Sequence, residues 1–225
     1  MKNSRVVSLA LPMLCALAVA CSSCQLIGWT AAQLQPPEKV KPLYVPQARD
    51  KSVLVFVDDR ANQISYQPIK RMLTEEINSQ LIEHKITSDV IAYERVLDLQ
   101  ANQQDFDAMS IVRIAQLAGA DMVLHVDITS FRLKEDESSP LWDGTIETSV
   151  RWVDAHAKTL AEARLWPKSQ ANGHAVPAVT TPLKDVKEDT SATYATQVAS
   201  TLAKEMAQRI VALFYEHTVQ PGQEK

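Results

Sequence analysis

Cysteine is missing from nearly the whole chain. The 225 residues contain three cysteines, Cys15, Cys21 and Cys24, all close to the amino terminus. A domain formed by the residues after Cys24 therefore has no intramolecular disulfide and no cysteine nucleophile. An exported protein without disulfides depends on its apolar core, and hydrophobic residues make up 46% of this chain.

Glycine is also scarce, and the common catalytic signatures are absent. The chain has five glycines, so a glycine-rich nucleotide cradle is hard to place. It contains neither a Gly-x-Ser-x-Gly turn nor a phosphate-binding loop with its lysine. We therefore expect no cofactor.

The charge balance does not favour a nucleic-acid-binding protein, although it leaves room for a local basic patch. The net charge is −4, from 23 basic and 27 acidic residues. Without residues 1–20, whose only charges are Lys2 and Arg5, the balance is 21 to 27, or −6. Nucleic-acid binding needs a basic surface that releases counterions, so we expect no nucleic-acid partner.

The first 20 residues have the pattern of an export signal. Met1–Arg5 is short and basic, and the apolar run Val6–Ala20 ends in small residues. The run is shorter than the roughly 20 residues that span a bilayer, and Pro12 interrupts it. The pattern predicts a lipoprotein signal peptide at residues 1–20 rather than a permanent membrane helix.

The residues before Cys21 resemble the lipobox of bacterial lipoproteins, in which a small residue precedes the cysteine that receives the lipid. Leu17–Cys21 reads LAVAC, with Ala18 where the family usually has leucine, and Cys15 and Cys24 fit less well. The resemblance implies a palmitate-bearing Cys21 and a periplasm-facing anchor in the bacterial envelope, with the outer membrane favoured over the inner. The alternative is an ordinary secretory peptide that leaves two free thiols.

Residues 21–50 form a predicted tether that carries the lipid. Four prolines between residues 36 and 46 favour extended chain over helix. Such a spacer would hold a domain away from the membrane. The alternative is that this segment packs along the domain surface through Leu43, Tyr44 and Val45.

Residues 51–217 are predicted to form one α/β (α+β) domain, followed by a flexible tail at 218–225. Buried or alternating apolar patterns predict strands at 52–59, 86–92, 120–133, 144–155 and 159–166. Helical spacing predicts helices at 66–83, 109–118 and 189–216, with a short helix after residue 92. Gly119 suits the left-handed position after the helix 109–118. Residues 167–188, which contain three prolines besides Gly, Ser, Asn and Thr, are predicted as a long surface loop.

This order, β-α-β-α-β-β-β-α, predicts a mixed sheet of about five strands with a long C-terminal amphipathic helix packed on it. The first βαβ unit requires parallel pairing, and the later hairpins require antiparallel pairing. In the strand 120–133, Met122 and alternate residues are expected to face helices. Val123, His125 and Asp127 are expected on the wetter face.

The domain resembles a group of bacterial envelope modules. Three phrases carry the resemblance: SVLVFVDD at 52–59, AQLAGADMVLHVDIT at 115–129 and VRWVDAHAKTLAEARLW at 150–166. The group includes the curli secretion lipoprotein, the N-terminal domain of the Tol-Pal periplasmic protein and the lipoprotein activator of penicillin-binding proteins. The resemblance covers roughly residues 52–216 and implies the fold, which by itself carries no function.

Asp58 and Asp59 are the first candidate site residues, because they end the first predicted strand, where α/β proteins often bind ligands. They are either a cation or acid–base site, or a solvated strand end. His125 and Asp127 share a strand face, and Asp154 and His156 lie at a turn. These four approach a metal-site composition only if the strands pair suitably, and we expect no metal.

Trp142 and Trp166 lie near predicted strand ends and are candidates for a partner surface, since tryptophan is enriched in binding hot spots. The alternative for both is packing within the domain.

These patterns predict a membrane-anchored, non-enzymatic module that binds or scaffolds an envelope protein during assembly or export. One alternative is a hydrolase-like envelope enzyme that uses Asp58 or Asp59 in a deep pocket. The other is a subunit of an oligomeric secretion assembly, which needs a further amphipathic hairpin that the polar, proline-containing loops do not supply.

Overall fold

A computed structural model describes residues 38–59, 62–134, 142–182 and 191–219. The strands are β1 (Glu38–Val40), β2 (Ser52–Asp58), β3 (Asp89–Val90), β4 (Met122–Arg132), β5 (Asp143–Asp154), β6 (Arg164–Trp166), β7 (His174–Pro182) and β8 (His217–Val219). The helices are α1 (Pro68–Glu83), α2 (Tyr93–Asn102), α3 (Ile111–Ala118), α4 (Leu160–Ala163) and α5 (Ser191–Ala212), with a 3-10 turn at Phe106–Ala108.

The described residues form two compact units. In the smaller unit, β1 pairs antiparallel with β8, and Lys39 forms an ion pair with Glu216 at 3.4 Å. The larger unit spans residues 42–215. The predicted signal peptide, Cys21, the tether up to residue 37 and the end of the tail all lie outside the described residues.

The larger unit is an α/β fold built on a mixed six-stranded sheet. The order is β3-β2-β4-β5-β6, with β7 also paired to β5. β2 runs parallel to β3 and β4, whereas β5 is antiparallel to β4, β6 and β7. The fold class and the mixed pairing predicted from the sequence are confirmed.

One face of the sheet, which we call the apolar face, carries Val53, Val55 and Val57 of β2. Helices α1 and α5 cover it with their predicted stripes, including Leu73 and Leu202, both fully buried. α5 approaches β5 closely at Gly144, where an added Cβ would lie 2.3 Å from Val198 Cγ1 and 2.6 Å from Leu202 Cδ1. Each buried aliphatic side chain stabilises this face by about 1.5–3 kcal/mol relative to an exposed one.

The opposite face, which we call the polar face, carries Leu54, Phe56 and Asp58 of β2. Helices α2 and α3 and the 3-10 turn cover its apolar part with Val96, Leu99, Phe106, Ile114 and Ala115. α3 ends at Gly119, whose φ of +82° is the predicted left-handed cap. The covering helices correct one expectation: Val123 and His125 of β4 are buried, at 0% and 1% exposure, although the strand alternation predicted a wetter face.

Strand β7 lies within residues 167–188, which the sequence predicts as a surface loop, so that prediction is wrong. Its Val179 is fully buried beside α5. Pro177, which disfavours a central strand, lies where the β7 register with β5 shifts. Arg209 of α5 donates from Nη1 to the Ala178 carbonyl at 2.9 Å, which satisfies the backbone at this irregularity.

The predicted strand 159–166 is mostly a short helix, and only Arg164–Trp166 forms strand β6. The Thr159 hydroxyl accepts a hydrogen bond from the Glu162 N–H at 3.2 Å, which caps α4. Leu, Ala, Glu and Ala follow Thr159, and all favour helix, so local propensity overrides the strand pattern.

Part of the predicted tether belongs to the larger unit, because residues 42–50 fold with the domain. The Tyr44 ring stacks on Trp166 with centroids 5.8 Å apart. Leu43 and Val45 point outward, each 59% exposed, so only one of the three side chains considered for packing does pack.

Among the described helices, none has both the length and the apolar composition needed to cross a membrane.

Candidate functional site

A cavity of about 420 Å³ opens on the polar face at the carboxyl end of β2. We call it the acidic cavity. Phe56, Val96, Phe106 and Ile114 form its apolar floor, where Phe56 and Phe106 meet edge to face at 6.2 Å. Its rim consists of Asp58, Asp59, Lys70, Tyr93, Gln100 and Asp107.

The position of this cavity follows from the strand connections. β2 continues into α1, which packs on the apolar face, and β3 continues into α2, which packs on the polar face. The chain therefore leaves two neighbouring parallel strands in opposite directions. In α/β sheets, ligands bind outside the carboxyl ends of strands at such a switch point, because the diverging connections leave a crevice.

Asp58 and Asp59, for which the sequence left a ligand site and a solvated strand end as alternatives, both line the acidic cavity. Asp58 Oδ1 accepts from the Asp59 N–H at 2.9 Å, and Asp58 Oδ2 lies 3.2 Å from His125 Nε2. The Asp59 carboxylate accepts from the N–H groups of Gln63 and Ile64, at 2.7 and 3.1 Å. Both carboxylates thus shape the β2–α1 loop while facing the cavity.

A partly buried hydrogen-bonded row runs from Asp58 across the sheet to Arg151, with the buried His125 at its centre. β2, β4 and β5 are adjacent, and His125 is opposite Phe56 on β2 and Arg151 on β5. Arg151 Nε donates to His125 Nδ1 at 3.0 Å. Since arginine has no acceptor, Nδ1 must be the unprotonated nitrogen, and Nε2–H therefore donates to Asp58.

The neutral state of His125 also follows from its surroundings. Burial is the main cause that lowers the pKa of His125 below its ordinary value of 6.5, and the Arg151 charge lowers it further. The hydrogen bond and charge of Asp58 act in the opposite direction without reversing the shift. His125 is thus a neutral bridge that accepts from a cation and donates to a carboxylate.

This row could not be found from the sequence, because the strand alternation places His125 and Asp127 on a wetter strand face. Pairing of His125 with Phe56 depends on β2 and β4 being neighbours, which a single sequence does not show. The available signal was the residue type itself, since histidine and arginine at inward positions of two consecutive strands require polar partners.

Asp154 and His156 lie away from His125, so the four residues considered for a metal do not come together. His156 Nε2 instead lies 3.0 Å from Asp121 Oδ1, just before the start of β4. Among the residues that the structure describes, no group of three or more His, Cys, Asp or Glu side chains is arranged to hold a metal ion.

Trp142 and Trp166 both pack within the larger unit. Trp142 is 9% exposed, and the Lys134 ammonium lies 4.4 Å from its ring centroid. Trp166 is partly buried between Tyr44 and Phe214, with ring centroids at 5.8 and 5.7 Å. Each therefore offers only part of its ring to a partner.

The Gly119-Ala120-Asp121 junction is structural. The Asp121 carboxylate accepts from the Ser52 N–H at 2.9 Å and from its hydroxyl at 3.1 Å, which joins the starts of β2 and β4. The His156 hydrogen bond, followed by that of the Ser52 N–H, lowers the pKa of Asp121.

No protein-family model and no curated protein matches the chain. Solved structures with a similar fold include lipoprotein GNA1162 from Neisseria meningitidis, 14% identical with a TM-score of 0.41 over 70% of this chain and 98% of that one. A PelC dodecamer from Paraburkholderia phytofirmans is 12% identical with a TM-score of 0.36, over 78% and 98%. Uncharacterized lipoprotein B from Nitrosomonas europaea is 13% identical with a TM-score of 0.31, over 79% and 88%. Lipoproteins are thus among the structures that this fold resembles, and similarity at this level carries no inference about function.

Proposed function

We propose that this chain is a lipid-anchored protein of the bacterial envelope whose α/β domain is a non-enzymatic recognition module. The acidic cavity is the observation that carries this proposal. Its volume of about 420 Å³ lies within the range of roughly 300–1,000 Å³ usual for ligand sites. It also combines an apolar floor with a polar rim, as recognition sites do.

The charges of the rim indicate the chemistry of the partner. Asp58, Asp59 and Asp107 face a single lysine, Lys70. A lysine or arginine side chain of a partner protein complements this charge, because its ammonium or guanidinium meets the carboxylates. Its alkyl part then lies on the aromatic floor.

Anchoring through Cys21 holds Glu38, the first described residue, within a limited reach of a membrane. The chain from Cys21 to Glu38 covers 17 residue steps, which span at most about 60 Å when fully extended. The partner is therefore an envelope protein within reach of that membrane. In its more specific version, the proposal is that Cys21 carries a palmitate inserted in the outer membrane.

Site-specific photocrosslinking in cells tests the recognition site. A benzophenone amino acid at Gln100, on the rim, is expected to give one discrete protein adduct. The same substitution at Asp98 is the matched control, because Asp98 is exposed on the same helix about 200° around its axis and outside the cavity. Equal crosslinking from both positions, or adducts to lipid alone, would contradict a protein-binding cavity.

Cys21→Ala tests the anchor. The wild-type protein is expected to incorporate an alkyne-labelled fatty acid and to partition into detergent, and the variant to lose both. Cys24→Ala is the matched control and is expected to keep both. Membrane association and mass that do not change in Cys21→Ala would remove the lipid from the proposal.

A hydrolase-like activity is the second candidate, favoured by one observation: Asp58 and Asp59 line the same cavity. Catalysis requires a carboxylate that exchanges a proton with substrate, whereas both are engaged in hydrogen bonds within the loop. If Asp107→Asn weakens partner crosslinking while no envelope substrate is cleaved, recognition is supported. A turnover that disappears in Asp58→Asn and survives in Asp107→Asn would favour the enzyme.

A further inference from the structure

A second cavity, of about 260 Å³, lies on the polar face between β5, β6 and the start of α3. We call it the arginine cavity. Its polar side chains are Ser110, Arg151 and Arg164, and its apolar walls are Ile111, Val112, Val153 and Ala163. It does not share a lining residue with the acidic cavity.

The strand register brings the two arginines together. Val153 of β5 is paired with Arg164 of β6, so these side chains lie on the same face of the sheet. Arg151 precedes Val153 by two residues and therefore shares this face as well. Two guanidinium groups from neighbouring strands thus line one small cavity.

The two arginines differ in what they already bind. Arg151 Nε donates to His125, and its Nη1 lies 3.5 Å from the Ala171 carbonyl. Arg164 is half-buried, and among the described residues its side chain has no hydrogen bond or ion pair. A guanidinium that has lost part of its hydration without gaining an acceptor is an incomplete interaction, which an anion completes.

The size and walls of the cavity select the anion. Arg164 supplies a guanidinium fork that has no acceptor among the described residues, which matches one carboxylate, and the four apolar side chains match a short aliphatic body. We propose that the arginine cavity binds a carboxylate carried on a small apolar group, with Arg164 as the bidentate partner and Arg151 beside it. The Ser110 hydroxyl accepts from the Arg113 N–H at 3.2 Å and retains its own proton for a third hydrogen bond.

This carboxylate has two possible sources, the C-terminus of a peptide and a free short-chain acid. The acidic cavity plays no part in this proposal, so either proposal can fail without the other. Titration of the ¹⁵N-labelled protein with N-acetyl-Ala-Ala-Val and with isovalerate distinguishes the sources. Tighter binding of the peptide identifies a C-terminus, and equal binding identifies a free acid.

Binding is expected to depend on the negative charge of the ligand, which a peptide acid and its uncharged amide test. N-acetyl-Ala-Ala-Val is expected to shift the amide signals of Ser110–Val112 and Val153, whereas its C-terminal amide is expected to leave them in place. Arg164→Gln is expected to weaken binding at least about tenfold, because a charge-assisted hydrogen-bond pair is lost. Arg164→Lys keeps the charge but lacks the planar fork, so its affinity for the peptide is expected to lie between those of the wild type and Arg164→Gln.

Arg113→Gln is the matched control, because Arg113 is exposed on α3 and does not line the cavity. It is expected to bind the peptide as the wild type does. Equal shifts from acid and amide, unchanged affinity in Arg164→Gln with a native amide spectrum, or no shifts from either acid at millimolar concentration would each overturn the proposal.

Discussion

The two faces of the central sheet are built from different chemistry. On the apolar face, the stripes of α1 and α5 pack aliphatic side chains such as Leu73 and Leu202 against alternate residues of β2, β4 and β5. On the polar face, α2 and α3 cover only part of the sheet, and the rest holds the Asp58–His125–Arg151 row and both cavities.

This difference separates stability from recognition. Aliphatic packing on the apolar face is continuous, so its contribution grows with the area removed from water. The polar face buries charged and hydrogen-bonding groups, which stabilise little unless each finds a partner, but which fix the position of charges around a ligand. We therefore expect substitutions on the two faces to differ in size and in pH dependence.

Leu202→Ala is expected to have the largest effect. Leu202 is fully buried beside Gly144, and its removal leaves a cavity that the close approach of α5 and β5 cannot refill. The free energy of unfolding is expected to fall by about 2–5 kcal/mol in urea denaturation. Lys204→Ala, exposed on the same helix, is expected to stay within about 0.5 kcal/mol of wild type. A loss below about 1 kcal/mol in Leu202→Ala would contradict a close-packed apolar face.

His125→Leu tests the polar face. It is expected to lower the free energy of unfolding by about 1–3 kcal/mol, less than Leu202→Ala, because Asp58 and Arg151 each lose a hydrogen-bond partner. In the wild type, burial lowers the pKa of folded His125 below its ordinary value of 6.5, so the unfolded chain binds the proton first. The contribution of neutral His125 to stability is therefore fully present above pH 6.5 and is lost as the pH drops through that value. The loss is at most about 1.4 kcal/mol per pH unit.

The measurement is urea unfolding at several pH values between 5 and 7. In His125→Leu, the free energy of unfolding is expected to change less steeply with pH than in the wild type. The difference corresponds to at most one proton taken up on unfolding. His84→Gln is the control, since His84 stacks on Tyr215 near the surface and leaves the row intact. If the slope of His125→Leu equals that of the wild type, His125 does not stay neutral in the folded protein.

The apolar face could be predicted from the sequence, whereas most of the polar face could not. The stripes of α1 and α5 and the buried run Val53–Val57 depend on local spacing, which a sequence displays directly. On the polar face, the sequence pointed only to Asp58 and Asp59 at the end of an apolar strand, with a solvated strand end as the alternative. The His125–Arg151 contact depends instead on which strands are neighbours. Strand β7 was not predicted because its prolines disfavour a strand, but the irregular pairing of β7 with β5 accommodates them.

A second histidine–aspartate pair, on the exposed rim of the sheet, gives the smallest expected effect and the sharpest comparison. His156 and Asp121 lie 3.0 Å apart with side chains 68% and 41% exposed, whereas His125 and Asp58 lie 3.2 Å apart at 2% and 13%. Solvent screens the exposed pair, so His156→Gln is expected to change the free energy of unfolding by only about 0–1 kcal/mol at neutral pH.

Hydrogen bonds from His156 and then Ser52 lower the pKa of Asp121, so the contribution of Asp121 to stability is complete above the ordinary pKa of 3.8 and is lost as the pH falls through that region. Asp121→Asn is therefore expected to flatten the acid limb near pH 3 to 4 and to leave the slope between pH 5 and 7 unchanged. An equal loss of stability at neutral pH in His156→Gln and His125→Leu would show that burial does not separate the two pairs, and the distinction between the faces would then rest on aliphatic packing alone.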